Sequence, residues 1–281
     1  MIDSNDLRLV SKDLFPGNFD ELIWGNAWRL PIEQGKSLEW AVFIAIIAAF
    51  AQRGWDVAIP ALSNTQIADC FTSDNRFPVH FTGRPGHQPT SGKMGTAILS
   101  CLIPKAVVRQ SSECFSIFRE GWPYHQIHAS TGSKERPDIL IARGSPNFTA
   151  LKLDKDMGVV TYEYLDGNGE KLLSGSLRAI NASSPQVIDL FQREALFAKC
   201  VVECSVNKLE ARAALQLHAY AKTFFVQDDP SVILVTGVPI PSSYPVCPVT
   251  LTGSRDDLFN SLKISGEYIA KSIAESSIHK A

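Results

Sequence analysis

Two carboxylates in this sequence stand where apolar strands are expected. Asp138 opens the run Pro137-Asp138-Ile139-Leu140-Ile141, and Glu203 interrupts Val201-Val202-Glu203-Cys204-Ser205-Val206. Burying a charged carboxyl among apolar side chains is costly unless it is paired or binds a cation. Two such groups on neighbouring strands repel each other, and a divalent ion relieves that repulsion. Mg²⁺ suits the task, because it takes carboxylate oxygens and keeps positions open for water and phosphate. So held, it acidifies water and offsets charge building up on a phosphodiester. The chemistry expected is metal-assisted phosphodiester hydrolysis, with Asp138 and Glu203 as the metal ligands. A third segment follows, Leu215 to Tyr220, with Gln216 and Tyr220 on one helix face at i, i+4.

Pro-Asp ahead of an apolar strand, then an acid with a polar residue on the next strand, resembles the PD-(D/E)XK nuclease superfamily. That group includes restriction endonucleases and repair and recombination nucleases. The text Leu215-Gln216-Leu217-His218-Ala219-Tyr220 resembles the Gln-x-x-x-Tyr motif of its RecB-like branch. Glu39, in Ser37-Leu38-Glu39-Trp40, falls on an N-terminal helix of the kind that carries a further metal-binding or supporting Glu. The resemblance implies a mixed β-sheet flanked by helices on both faces, as in restriction endonucleases. It further implies a type II restriction enzyme that uses Mg²⁺, with Mn²⁺ able to substitute, and cuts double-stranded DNA as a homodimer.

One departure matters. The family pattern is Glu-x-Lys, and here it reads Glu203-Cys204-Ser205. Strand alternation puts Glu203, Ser205 and Asn207 on one face and Lys208 on the other or just beyond. Lys208 is the first candidate to supply the missing ammonium, Lys152 and Lys155 are the reserve, and Ser205 itself is a substitute. Two other readings stay open: a nucleic-acid-binding protein on a decayed nuclease fold, and a RecB-like exonuclease module. An RNA substrate stays open as well.

Several side chains carry competing explanations. Gln216 and Tyr220 also fit a polar seam on an amphipathic helix, and Glu39 a plain surface carboxylate. His125 and His128 form a His-x-x-His, but zinc would need two more ligands at plausible spacing. His128 is therefore read as facing substrate or as structural. Cys200 and Cys204 fall on the strand face away from Glu203, which favours core packing. The stretch 61–95 is long and polar, with Arg76, Arg84 and Lys93 among glycines, and is expected to contact DNA.

The elements that must position these groups are legible in outline. Residues 1–35 read as an irregular arm packed by its aromatics. A buried helix follows over 36–53, with Ser37 as its cap and Gly54 as its stop. A short strand is expected at 55–60, then strands at 137–142, 149–155, 159–165 and 171–177, the last two joined at Asp166-Gly167-Asn168-Gly169. Helices are expected over 184–198 and 208–225, strands over 200–206 and 231–239, and a final helix over about 254–275. This is one elaborated α/β domain over 1–281. Its core spans 36–60 and 120–240, and 1–35, 61–119 and 241–281 decorate it.

Composition bounds the alternatives. The 281 residues are 45% hydrophobic, ample for a core, and the formal charge of −2 excludes binding nucleic acid by bulk positive charge. A local basic surface is not excluded. No secretion signal precedes the arm, and the most apolar run, Trp40–Ala51, falls short of the roughly 20 residues that cross a bilayer. The six cysteines form no Cys-x-x-Cys pair and read as reduced thiols of a cytoplasmic protein, with no membrane partner.

Overall fold

The computed structural model of the chain describes residues 2–15, 34–58, 104–119, 137–147, 150, 152–154, 159–178, 198–206, 216–218, 231–238 and 244–278. A mixed sheet of seven strands runs β1 (Asp56–Ala58), β2 (Ala106–Gln110), β3 (Glu113–Arg119), β4 (Ile139–Arg143), β9 (Ala198–Ser205), β10 (Ser231–Thr236), β11 (Val246–Pro248). The first five pair antiparallel, while β9, β10 and β11 are parallel. A second sheet holds β5 (Ser145–Pro146), β6 (Lys152–Asp154), β7 (Val159–Leu165) and β8 (Lys171–Arg178), with β7 paired to all three others.

Alternation along the strands gives the large sheet two apolar faces. Val108, Phe115, Ile117, Ile139, Ile141, Cys200, Val202, Ile233 and Val235 join one core with helices α1 (Ser4–Leu14), α2 (Gln34–Gln52) and α3 (Arg255–Ile278). On β10 the intervening Val232 and Leu234 face the other way and pack with Leu217, from a helical segment described at 216–218. The mixed α/β class is as expected, and the described helical residues 216–218 lie on the face opposite α1, α2 and α3.

α2 is buried continuously from Leu38 to Phe50, which is why it reads as apolar on all sides. Its window Gly35–Gln52 is long and apolar enough to span a membrane by composition, yet 72% of it is buried inside the fold. It is a core helix. It stops as expected at Gly54, whose φ of 77° is left-handed.

Several expectations need correction. The arm is not irregular throughout, since α1 occupies its first part. Asp3 caps that helix through hydrogen bonds from Asn5 N and Asp6 N, Asp6 answers with a bond from Asp3 N, and Leu7, Val10 and Leu14 turn inward. Ser37 is not a cap: α2 has already begun at Gln34, and Ser37 lies fully buried in its first turn. β2 and β3, from a stretch read as peripheral, are the second and third strands of the large sheet. Lys152 lies on β6 in the second sheet, so it is not on a strand beside the Glu203 strand. The helix expected over 184–198 lies outside the described residues except at its end, where Ala198 already belongs to β9.

Candidate active site

The pairing of β4 with β9 sets the two acids against each other. Ile139 faces Val202, and continuing the antiparallel register by one residue sets Asp138 opposite Glu203. Asp138 lies in the bend that enters β4, half-buried, and its Oδ2 accepts a hydrogen bond from Cys204 N at 2.7 Å. That bond ties the mouth of β4 to the strand carrying Glu203. Glu203 is buried at 7% exposure beside Leu234 of β10, on the face away from α2. The parallel pairing of β9 with β10 requires a crossover, and the 216–218 segment lies on the face that Glu203 shares.

Behind this pair, on the α2 side, is an ion pair that sequence reasoning did not find. Arg119 ends β3, in register with Ile139, and its Nη2 donates to Glu39 Oε2 at 2.7 Å. Both side chains are almost fully enclosed, at 1% and 11% exposure. The guanidinium also sits 4.4 Å from the ring centroid of Trp40, the residue after Glu39 on α2. Nothing in the text around Arg119 names its partner, which lies 80 residues upstream.

Cys204 reports on the field these groups create. Its side chain packs against the helix-side core, so the expectation that Cys200 and Cys204 are core thiols holds. Burial pushes the Cys204 thiol well above its ordinary range, and the Asp138, Glu39 and Glu203 carboxylates push it further; Arg119 acts the other way. Three carboxylates and one guanidinium thus lie within electrostatic reach of one thiol.

The remaining site expectations divide plainly. Ser205 ends β9, half-buried, with its carbonyl accepting from Gly237 N at 2.9 Å. Gln216 is half-buried on the helical segment over the Glu203 face. Lys208, Tyr220, Lys155, Arg76, Arg84, Lys93, His125 and His128 lie outside the described residues. Among the described residues, no three His, Cys, Asp or Glu side chains gather closely enough to cage a metal ion. Asp138 and Glu203 come from neighbouring strands, with Asp138 oriented by a main-chain N–H of the other strand. No family model, curated protein or solved structure matches this chain.

Proposed function

We propose that this protein is a Mg²⁺-dependent DNA endonuclease of restriction-endonuclease-like fold, with Asp138 and Glu203 holding the metal. The observation that carries this reading is the Asp138–Glu203 juxtaposition across β4 and β9, locked by the Cys204 N–H. The strand order supports it. α2 precedes three consecutive antiparallel neighbours, β3, β4 and β9, and a crossover past the 216–218 segment returns as the parallel β10.

In this reading Asp138 and Glu203 bind and orient the cation, and the Cys204 N–H holds Asp138 in a single orientation. The ion, when bound, acidifies a water and offsets charge on the phosphodiester. Ser205 offers a neutral hydroxyl on the Glu203 face, and Lys208, just past β9, supplies the ammonium that the family pattern places at 205. Arg76, Arg84, Lys93 and His128 meet the DNA, and two copies act on a palindromic site. A cytoplasmic location suits Cys114, Cys200, Cys204 and Cys247, all free thiols.

A specific residue favours a second reading, a decayed nuclease fold that only binds nucleic acid: Ser205 stands where lysine is expected. Incubation of supercoiled plasmid with Mg²⁺, and with EDTA as control, separates the two. Discrete linear fragments formed only with Mg²⁺ support the endonuclease. Loss of pre-linearised plasmid from its ends, with the supercoiled form untouched, points to exonuclease action, and retained DNA binding without cleavage of either form points to the decayed fold.

A further inference from the structure

We infer that the outer face of α3 pairs with the same face of a second copy of this chain, antiparallel, about a two-fold axis at Ile264. The inference stands apart from the nuclease reading, because α3 packs on the side of the large sheet away from Glu203. α3 docks there through Leu258, Leu262, Ile269 and Ile273, all fully buried, and through Gly266 against Ala45. At about 3.6 residues per turn, Ile264 then points almost directly away from the docked face. It is 65% exposed, and Tyr268, one turn on, is 45% exposed. Single apolar residues on a surface need no explanation. Here two of the three large exposed apolar side chains among the described residues share one stripe, and the stripe is self-complementary.

Asp257 and Asn260 precede Ile264 by seven and four residues, and Tyr268 and Lys271 follow it by four and seven. These offsets keep to one line along a helix, and all five residues are exposed. Antiparallel pairing with Ile264 on the axis sets each residue against the one at the opposite offset. Ile264 meets its own counterpart, and Asn260 meets Tyr268, an amide facing a phenol hydroxyl. Asn260 and Tyr268 have no hydrogen-bond partner among the described residues, so both are available. Asp257 meets Lys271, and the two-fold makes that opposite-charge pair twice. Bonds from the Ser254 hydroxyl and N–H hold the Asp257 carboxyl below its ordinary range, which keeps it charged. Beside the stripe no like charges are brought together: Ser261 comes against Glu267, and Asp256 against Ser272. Moving the axis to Gly266 would set Ile264 against Tyr268 but Asp257 against Glu275, two acids. The charges therefore choose Ile264. One helix of 24 residues offers less than the roughly 800 Å² per partner of a standard interface, so the dimer is weak, with a micromolar dissociation constant.

Sedimentation velocity of the full-length chain from about 1 to 300 μM tests this and should show a reversible monomer–dimer equilibrium. Ile264→Glu, which sets two carboxylates on the axis, should abolish it. Lys271→Glu should weaken it about tenfold, because two attractions become repulsions. Neither side chain belongs to the core, so both variants should keep the wild-type circular dichroism and urea midpoint. Oxidative cross-linking reads the register. Ile264→Cys should form a disulfide between copies, its Cβ atoms meeting across the axis. Lys271→Cys should not, since the two copies of that position lie about 21 Å apart along the pair. The wild-type chain, with its own cysteines, is the baseline. A chain that stays monomeric throughout overturns the inference and leaves the stripe to a different protein. A dimer that survives Ile264→Glu overturns it as well, as does Lys271→Cys cross-linking as readily as Ile264→Cys.

Discussion

The main-chain N–H of Cys204 donates to Asp138 Oδ2 at 2.7 Å across 66 residues of sequence, so the orientation of one acid is set by the strand that carries the other. A carboxylate held by a backbone donor keeps that bond with any residue but proline at position 204. Its partner across the ladder, Glu203, is fixed by the same pairing.

Asp138→Asn and Glu203→Gln are expected to abolish Mg²⁺-dependent cleavage while leaving DNA affinity within a few fold, since affinity rests largely on phosphate contacts elsewhere. Asn retains an oxygen for the Cys204 N–H, so the local structure should survive. Plasmid cleavage with parallel gel-shift titration measures both, and full activity in either variant would remove these residues from the site.

Breaking the buried ion pair should cost more than removing it. Arg119→Met alone leaves Glu39 enclosed opposite an apolar chain, and a loss of about 3–5 kcal/mol is expected. Arg119→Met/Glu39→Leu replaces both charges with apolar side chains and should recover most of that loss. Urea unfolding of the three proteins checks the difference. Equal destabilisation of single and double variants would mean that packing by the arginine stem, and not charge, carries the effect.

Alkaline pH should weaken the fold through its thiols. Burial pushes Cys247 up to about 11 from an ordinary 9.0, and burial then its carboxylate neighbours raise Cys204. The folded state keeps these protons when the unfolded chain has already released them. Stability is therefore full below pH 9 and declines as pH climbs from there through about 11. Thermal melting at pH 8 and 10.5 should show a lower midpoint at the higher pH. In Cys247→Ala part of that pH-dependent drop should vanish.

Gly266 marks the close approach of two helices. A Cβ there would collide with Ala45 O and lie 2.5 Å from Ala45 C on α2. Gly→Ala within a helix ordinarily gains about 0.5–1 kcal/mol, but over-packing against backbone costs about 1–3 kcal/mol. The clash should win, and Gly266→Ala should lower stability. Gly35, in the first turn of α2, has nothing within 4 Å of the same added atom, so Gly35→Ala should not lower it.

Legibility followed the range of the interaction that fixed each element. The β7–β8 hairpin was readable because its turn chemistry lies between its strands, where Asp166 accepts from both Asn168 N and Glu170 N. α2 was readable because its apolar run exceeds a strand and ends in Gly54. β3 was not, since Ser116 and Arg119 interrupt its apolar alternation and their explanations lie far away. Ser116 Oγ donates to Gly144 O, and Arg119 answers to Glu39. α1 was obscured by its polar composition, although Asp3 and Asp6 spell a capping box. At the site, Asp138 and Glu203 stood out as acids in apolar strands. Arg119, which acts on the Cys204 thiol together with them, looked like an ordinary strand end.

The ladder between β4 and β9 also governs when the acids can meet. The intervening chain must fold back a long loop before the pairing gains any hydrogen bond, so this contact is non-local and intrinsically slow to form. The neighbouring β3–β4 and β7–β8 pairings close over shorter spans and have no such delay. Until β9 slots between β4 and β10, Asp138 and Glu203 are distant in space, and a nascent or half-folded chain carries no juxtaposed acids. Completion of the sheet is thus what brings Asp138 and Glu203 to neighbouring positions.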